Sequence, residues 1–283
     1  MHDHEPEDHD LGLQHDLVRI LDRRAALGLL GGASLAVLAG CGSEDSPSTS
    51  DSAAPAASES ESSASSSASA ASVDCADGEI PEETAGPYPG DGSNGPNALT
   101  ESGVVRSDIT RSFGSASGVA EGVPLTVKLT VVDVSAACAP LAGAAVYLWH
   151  CDREGEYSMY GQGITDENYL RGVQETAADG TVTFTSIFPA CYSGRWPHIH
   201  FEVYASLDEA TSAGSKLRTS QLALPQDVCD EVYATDGYSA SVGNLAAVSL
   251  QSDNVFSDGY SLQMATVSGD VSGGYTATLG VPV

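Results

Sequence analysis

From about residue 100 onward, apolar and polar residues either alternate or run together in short blocks, and a helical period of 3.6 is almost absent. Residues 124–134, Pro-Leu-Thr-Val-Lys-Leu-Thr-Val-Val-Asp-Val, place apolar side chains near every second position, the period of a half-buried strand. Residues 144–150 are apolar on both faces, which predicts a strand in the middle of a sheet. Ala178-Asp179-Gly180 reads as a turn into a further strand over 181–188. A turn at Ser193-Gly194 is followed by Trp196-Pro197, whose proline drives Trp196 toward extended geometry, and then by an alternating strand over 198–204. Shorter strands are expected near 104–109, 219–224, 261–267 and 275–279, with a turn of helix around 226–233. Short strands joined by Gly and Pro turns predict an all-β fold, an antiparallel sandwich or barrel. The roughly 210 residues of this part are ample for one such core.

Before residue 74 the pattern fails. Arg23-Arg24 precede an uncharged run over 25–40 that is too short and too rich in Gly and Ala for a comfortable membrane span. The paired arginines resemble a twin-arginine export signal, and Leu38-Ala39-Gly40-Cys41 resembles the lipobox of bacterial lipoproteins, in which the cysteine is lipidated. Residues 42–73 are almost wholly Ser, Ala, Asp, Glu and Pro, a composition that buries too little apolar area to offset the entropy of ordering. The expected organisation is a signal peptide over 1–40, a tether over 41–73 starting at a lipidated Cys41, and a folded domain over 74–283. The expected location is outside the cell, anchored to the outer face of a bacterial membrane by a diacylated Cys41, or secreted. The formal net charge of -28 stays strongly negative without the leader, and the clustered Lys and Arg that phosphate binding needs are absent. Nucleic acid is therefore excluded as a partner.

With Cys41 assigned to lipid, five of the six cysteines remain, and one must stay unpaired. Cys138 and Cys151 bracket what reads as one extended strand, which would hold them too far apart to bridge. The working pairs are Cys75 with Cys138 and Cys191 with Cys229, with Cys151 a buried thiol; connectivity itself is not deducible from spacing.

Four of the seven histidines, His2, His4, His9 and His15, lie in the expected leader, leaving His150, His198 and His200. On a strand, His198 and His200 share one face while Ile199, Phe201 and Val203 share the other. Two imidazoles side by side are half a metal site, although a single His-x-His also suits two structural histidines. Trp149-His150-Cys151-Asp152-Arg153-Glu154-Gly155-Glu156-Tyr157 leaves a strand for a Gly-containing loop carrying Tyr157, and Tyr192 stands six residues before His198.

With these stretches the chain resembles the intradiol ring-cleavage dioxygenases, non-haem ferric enzymes that open catechols between their two hydroxyls. The resemblance runs from about residue 84 to 224. It comprises Thr-x-Gly-Pro-Tyr ending at Tyr88, Trp-His-x-Asp-x-x-Gly-x-Tyr ending at Tyr157, Leu170-Arg171-Gly172, then Tyr192, Arg195, His198-Ile199-His200 and Thr219-Ser220-Gln221. It implies a β-sandwich of the intradiol core type, Fe(III) as cofactor, and Tyr157, Tyr192, His198 and His200 as its ligands. Ferric iron is a hard ion that favours anionic oxygen, so two phenolates with two imidazoles suit it. The resemblance further implies that an aromatic diol displaces Tyr157 and reacts with O2 to a cis,cis-muconate-type product. Arg195 would stabilise negative charge on the substrate ring, with Gln221 beside it.

Tyr88 is expected either to edge the substrate pocket or to pack its arm on the sandwich, Trp196 to reshape the pocket mouth, Asp152 to brace the Tyr157 loop, and His150 to be structural. The helical dimerisation region of catabolic relatives is replaced here by the leader and tether, and export widens the candidate substrates to larger aromatic diols. The competing reading is a secreted, transthyretin-like β-sandwich binding module without turnover. A third is a zinc or copper site using Asp152 or Cys151.

Overall fold

The computed structural model describes residue 73, residues 75–212 and residues 214–283. The expected signal peptide, Cys41 and all but the last residue of the expected tether lie outside the described residues. Among the described residues, nine strands form two sheets. The first contains β1 (Pro124–Asp133), β2 (Ala139–Pro140), β5 (Thr181–Ile187), β8 (Thr266–Asp270) and β9 (Gly274–Pro282). Its order is β2-β1-β9-β8, with β5 sharing the β2 edge of β1. The second contains β3 (Ala145–Trp149), β4 (Arg171–Glu175), β6 (His198–Tyr204) and β7 (Lys216–Ala223), in the order β4-β3-β6-β7. Helices α1 (Leu207–Thr211), α2 (Gln226–Tyr233) and α3 (Ser239–Ala246) sit in the later connections.

The core lies between the sheets. Leu125, Val127, Leu129 and Val131 of β1 face Val146 and Leu148 of β3 and Ile199, Phe201 and Val203 of β6, all buried in one cluster. The other face of the second sheet is buried too. There Ala145, Tyr147, Trp149, Val173 and Tyr204 are covered by Ala98, Leu99 and Val104 of the segment that precedes β1. This second layer positions the site, because the alternation that sends Ile199 and Phe201 into the sandwich sends His198 and His200 under that cover.

The expectation of a wholly antiparallel sandwich is corrected at β1 and β9, which run parallel over eight residue pairs from Leu125–Tyr275 to Val132–Pro282. Parallel neighbours need a crossover, and the chain makes one by passing through the whole second sheet, α2 and α3 before returning as the β8–β9 hairpin. Residues 104–109 form single bridges to Val173 and Thr185, not a strand.

One disulfide is present among the described residues, Cys75–Cys138 with 6.1 Å between Cα atoms, and Cys151 is a buried thiol. The expected Cys191–Cys229 pair is corrected: both are buried free thiols. Cys191 Sγ turns back on its own loop, 3.4 Å from the Arg195 carbonyl, while Cys229 sits in α2 hydrogen-bonded to Tyr233. Burial pushes the Cys191 thiol up to about 12 and Cys229 up as well, so neither favours the thiolate that disulfide exchange requires.

Candidate metal centre

The buried line across the second sheet runs Trp149, His200, Gln221, which are register partners on β3, β6 and β7. The indole of Trp149 lies flat on the His200 imidazole, with ring centroids 4.9 Å apart and planes 6° from parallel. His200 is thereby fixed in orientation. Its Nδ1 is buried without a hydrogen-bond partner among the described residues. One residue pair along, His198 Nδ1 lies 2.5 Å from the Trp196 carbonyl, to which it can only donate. Its Nε2 is left with a lone pair, 3.1 Å from His200 Nε2.

Two loops bring phenols to these nitrogens. After β3 the chain turns tightly, with Asp152 Oδ1 accepting from the amides of Glu154 at 3.1 Å and Glu156 at 2.9 Å. Asp152 Oδ2 accepts from the Tyr169 hydroxyl at 3.2 Å, so this carboxylate braces the Tyr157 loop as expected. Gly155 has φ +92°, and a Cβ there would stand 3.3 Å from Tyr192 Cβ, so both the turn and the approach of the two loops ask for glycine. The Tyr192 turn is held by α3: the Cys191 amide donates to Ser241 Oγ at 3.0 Å and Asn244 Nδ2 donates to the Cys191 carbonyl at 2.8 Å.

As a result Tyr192 Oη lies 3.1 Å from His198 Nε2, and Tyr157 Oη lies 3.4 Å from Tyr192 Oη. Tyr157, Tyr192, His198 and His200, distant in sequence, therefore converge on one point. Burial, with the Arg195 charge behind it, holds His198 well below the usual imidazole range. Burial, and then His198 itself, do the same for His200. Burial also pushes Tyr192 up to about 12 and Tyr157 higher than a free tyrosine. Two neutral imidazoles and two phenols in a dry place form a donor set that a cation would complete, since only a positive centre makes the phenolates favourable there.

Arg195 is 7% exposed and stands beside this cluster. Burial pulls its pKa down, while Tyr192 and Asp253 push it up, and the net shift is upward. Its Nη2 donates to Gln221 Oε1 at 2.7 Å, and Gln221 Nε2 donates to the Thr84 carbonyl at 2.9 Å. Asp253, unremarked in the sequence, receives Arg195 Nε at 2.9 Å.

Tyr88 is 42% exposed, and its ring lies 5.2 Å from that of Tyr157 and 5.1 Å from that of Tyr160, at the rim of the cluster. The arm carrying it is pinned by buried Arg171, whose guanidinium donates to the carbonyls of Tyr88 at 3.0 Å and Pro89 at 2.8 Å. Trp196 is the correction. It is 3% exposed, belongs to the sandwich core, and its indole N–H donates to the Leu224 carbonyl at 2.9 Å. The bonds of its backbone N–H to Asp253 and of its indole N–H to the Leu224 carbonyl hold the indole in that core.

His150 is structural, with Nδ1 2.7 Å from the Cys151 carbonyl and Nε2 2.7 Å from Ser186 Oγ. Asp152 and Cys151 take no part in the cluster: the Cys151 thiol faces the Ala190 carbonyl at 3.6 Å. Two surface cavities, of about 160 Å³ beside Asp152 and Tyr169 and about 290 Å³ beside Tyr204 and Lys216, are not lined by Tyr157, Tyr192, His198 or His200.

A family model described as dioxygenase matches residues 94–228, which include Tyr157, Tyr192, Arg195, His198, His200 and Gln221. Chlorocatechol 1,2-dioxygenase of Rhodococcus opacus is 38% identical over 53 residues, 19% of this chain and 21% of that protein, so the alignment spans about a fifth of the curated relative. The solved intradiol ring-cleavage dioxygenase from Tetranychus urticae is 25% identical, with a TM-score of 0.54 over 64% of this chain and 87% of that one. The matched segment, the shared sandwich and the residues they carry make the chain similar to the intradiol ring-cleavage dioxygenases.

Proposed function

We propose that this protein is an Fe(III)-dependent intradiol dioxygenase that cleaves a catechol-type aromatic diol with O2 to a cis,cis-muconate-type product. The observation that carries the reading is the convergence of Tyr157 Oη, Tyr192 Oη, His198 Nε2 and His200 Nε2, each 3.1–3.4 Å from its neighbour. A sugar- or protein-binding module has no use for two phenols aimed at two buried imidazoles. These four residues would hold the ion, which when bound would supply the electrophilic centre that makes a chelated diol reactive toward O2.

The chain's own residues do the rest. Burial keeps the two imidazoles neutral, and Trp149 and the Trp196 carbonyl hold them in orientation. Tyr157, the phenol under Tyr88, would be the group whose place a diol takes, and its Oη would accept a hydroxyl proton. Arg195 sets a fixed cation beside the ring where negative charge develops, and Gln221 orients it, a contribution on the order of 10² to 10³ in rate. Tyr88 and Tyr160 present aromatic faces against which a flat diol packs. An exported, lipid-anchored protein is the reading that the leader sequence supports, with extracellular aromatic diols as the substrate class.

The test is the visible spectrum of the purified, iron-loaded protein before and after catechol is added under nitrogen. A broad band from phenolate-to-iron(III) charge transfer that moves to longer wavelength with catechol supports the assignment. A protein that stays colourless after iron loading overturns it in favour of a binding module. Tyr192→Phe and His200→Ala are expected to lose iron and colour together, whereas Arg195→Ala keeps the colour and loses turnover about 10² to 10³-fold. Full activity in any of the three sinks the residue roles.

A further inference from the structure

Asp253 lies beyond residue 228, outside the segment matched to the family, in the connection between α3 and β8. Its side chain is fully buried, an expensive place for a carboxylate unless every oxygen is occupied. Both oxygens are. Oδ2 accepts Arg195 Nε at 2.9 Å and the Trp196 amide at 2.7 Å. Oδ1 accepts the amides of Val255 at 2.8 Å and Phe256 at 3.1 Å, and lies 3.5 Å from Arg195 Nη2.

The consequences converge on the cluster. Arg195 Nε is spent on Asp253 and Nη2 on Gln221, and Nη1 has no hydrogen-bond acceptor among the described residues. One edge of the guanidinium is thus clamped and the other left for a bound molecule. The same carboxylate fixes the amide of Trp196, whose carbonyl holds His198 Nδ1. A single side chain therefore holds both the cation and the backbone at Trp196, beside the carbonyl that meets an imidazole.

We propose that Asp253 is a positioning residue for the ring-cleavage reaction: it aims the free edge of Arg195 at the diol and anchors the backbone N–H of Trp196, the residue whose carbonyl, one peptide further on, meets His198. This rests on the reading of Tyr157, Tyr192, His198 and His200 as an iron site. Asp253 touches neither diol nor metal, and its effect on turnover passes through Arg195.

The experiment is a double-mutant cycle on the full-length protein, with catechol as the probe. Asp253→Asn is expected to keep iron and the visible band, to lower kcat about 10- to 100-fold, and to change KM by less than about threefold, since a displaced cation is missed mainly at the transition state. In an Arg195→Ala background the same change is expected to alter kcat by less than about twofold.

A second readout uses the metal-free protein. Arg195→Ala strands a buried carboxylate, so adding Asp253→Asn raises the denaturation midpoint of that variant while lowering it in the wild type. Equal multiplicative losses in both backgrounds would mean that Asp253 only ties down its own loop, and wild-type kcat in Asp253→Asn would also overturn the proposal. If Asp253→Asn does not fold, Asp253→Glu, which keeps the charge but moves it by a methylene, takes its place: reduced kcat with an intact band supports the positioning role, and unchanged kcat sinks it. A colourless, inactive wild type would refute the iron reading instead, leaving the metal-free cycle to report on the clamp alone.

Discussion

His150 and His200 come from neighbouring strands, and what separates them is the partner of each ring nitrogen. Both nitrogens of His150 are satisfied, whereas His200 Nδ1 has no partner among the described residues and its Nε2 meets another imidazole. Burial drives the His150 pKa from 6.5 down to about 4. The folded state keeps this ring neutral while the unfolded chain takes up a proton below 6.5, so between these values the unfolded state binds more protons and stability rises with pH. Its contribution is complete above pH 6.5 and is lost as pH falls toward 4, on the order of 3 kcal/mol. Urea titrations of the metal-free protein at pH 4.5 and 7 are expected to differ less in His150→Gln than in the wild type, and equal differences would refute this. At this scale much was legible. A period of two put His198 and His200 on one face, and the Gly-containing loop predicted a turn that presents Tyr157. Trp196 was not, because the bend that aims an indole at the core depends on Asp253 and Leu224, which are remote in sequence.

Among the elements, the strands with strong alternation, β1, β5 and β6, are where the pattern puts them, and β3 is central, as a strand apolar on both faces must be. Strand β4 was missed because its first residues, Arg171 and Gly172, carry no apolar alternation; its register against β3 comes from tertiary context. Arg171 explains itself only in three dimensions. It is 1% exposed, and besides the Tyr88 and Pro89 carbonyls it donates to Ser158 Oγ at 3.1 Å, the Ser158 carbonyl at 2.9 Å and the Tyr147 hydroxyl at 3.2 Å. It thus joins the arm, β3 and the loop of Tyr157 in one knot. Gly90 belongs to the same knot, since at φ +62° a Cβ would stand 2.8 Å from Arg171 Nη1. Arg171→Met fills the volume but leaves several buried acceptors unpaired, at a cost of about 3 kcal/mol. Denaturant unfolding should register that loss, and limited proteolysis should cut the freed arm near residues 86–95 first. An arm as resistant as in the wild type would count against the pin.

Taken as a whole, the site is assembled by segments that enter the fold at different stages of the chain: the arm before β1, the two loops of the second sheet, and the α2–β8 region that supplies Ser241, Asn244 and Asp253. The last of these was least legible, since a helix such as α3, with its Ser, Ala, Gly and Asn, has a weak apolar stripe and earns its place by bonding the Tyr192 turn. The start of the arm is fastened covalently. Cys75–Cys138 joins it to the end of β1 across 63 residues of sequence, and the Ile80 amide donates to the Pro282 carbonyl at 2.8 Å, so the arm begins against the same sheet. Closing a loop of that length removes chain entropy from the unfolded state equivalent to about 4 kcal/mol. Unfolding the protein with and without reductant measures it, and Cys75→Ser with Cys138→Ser should reproduce the reduced value. Because Ile80 and the Arg171 knot hold the arm independently of the sulfurs, the variant carrying Cys75→Ser and Cys138→Ser, loaded with iron without reductant, is expected to keep the visible band at temperatures below its lowered midpoint. Loss of colour in that variant while the fold persists would instead make the disulfide part of what holds Tyr88 over Tyr157.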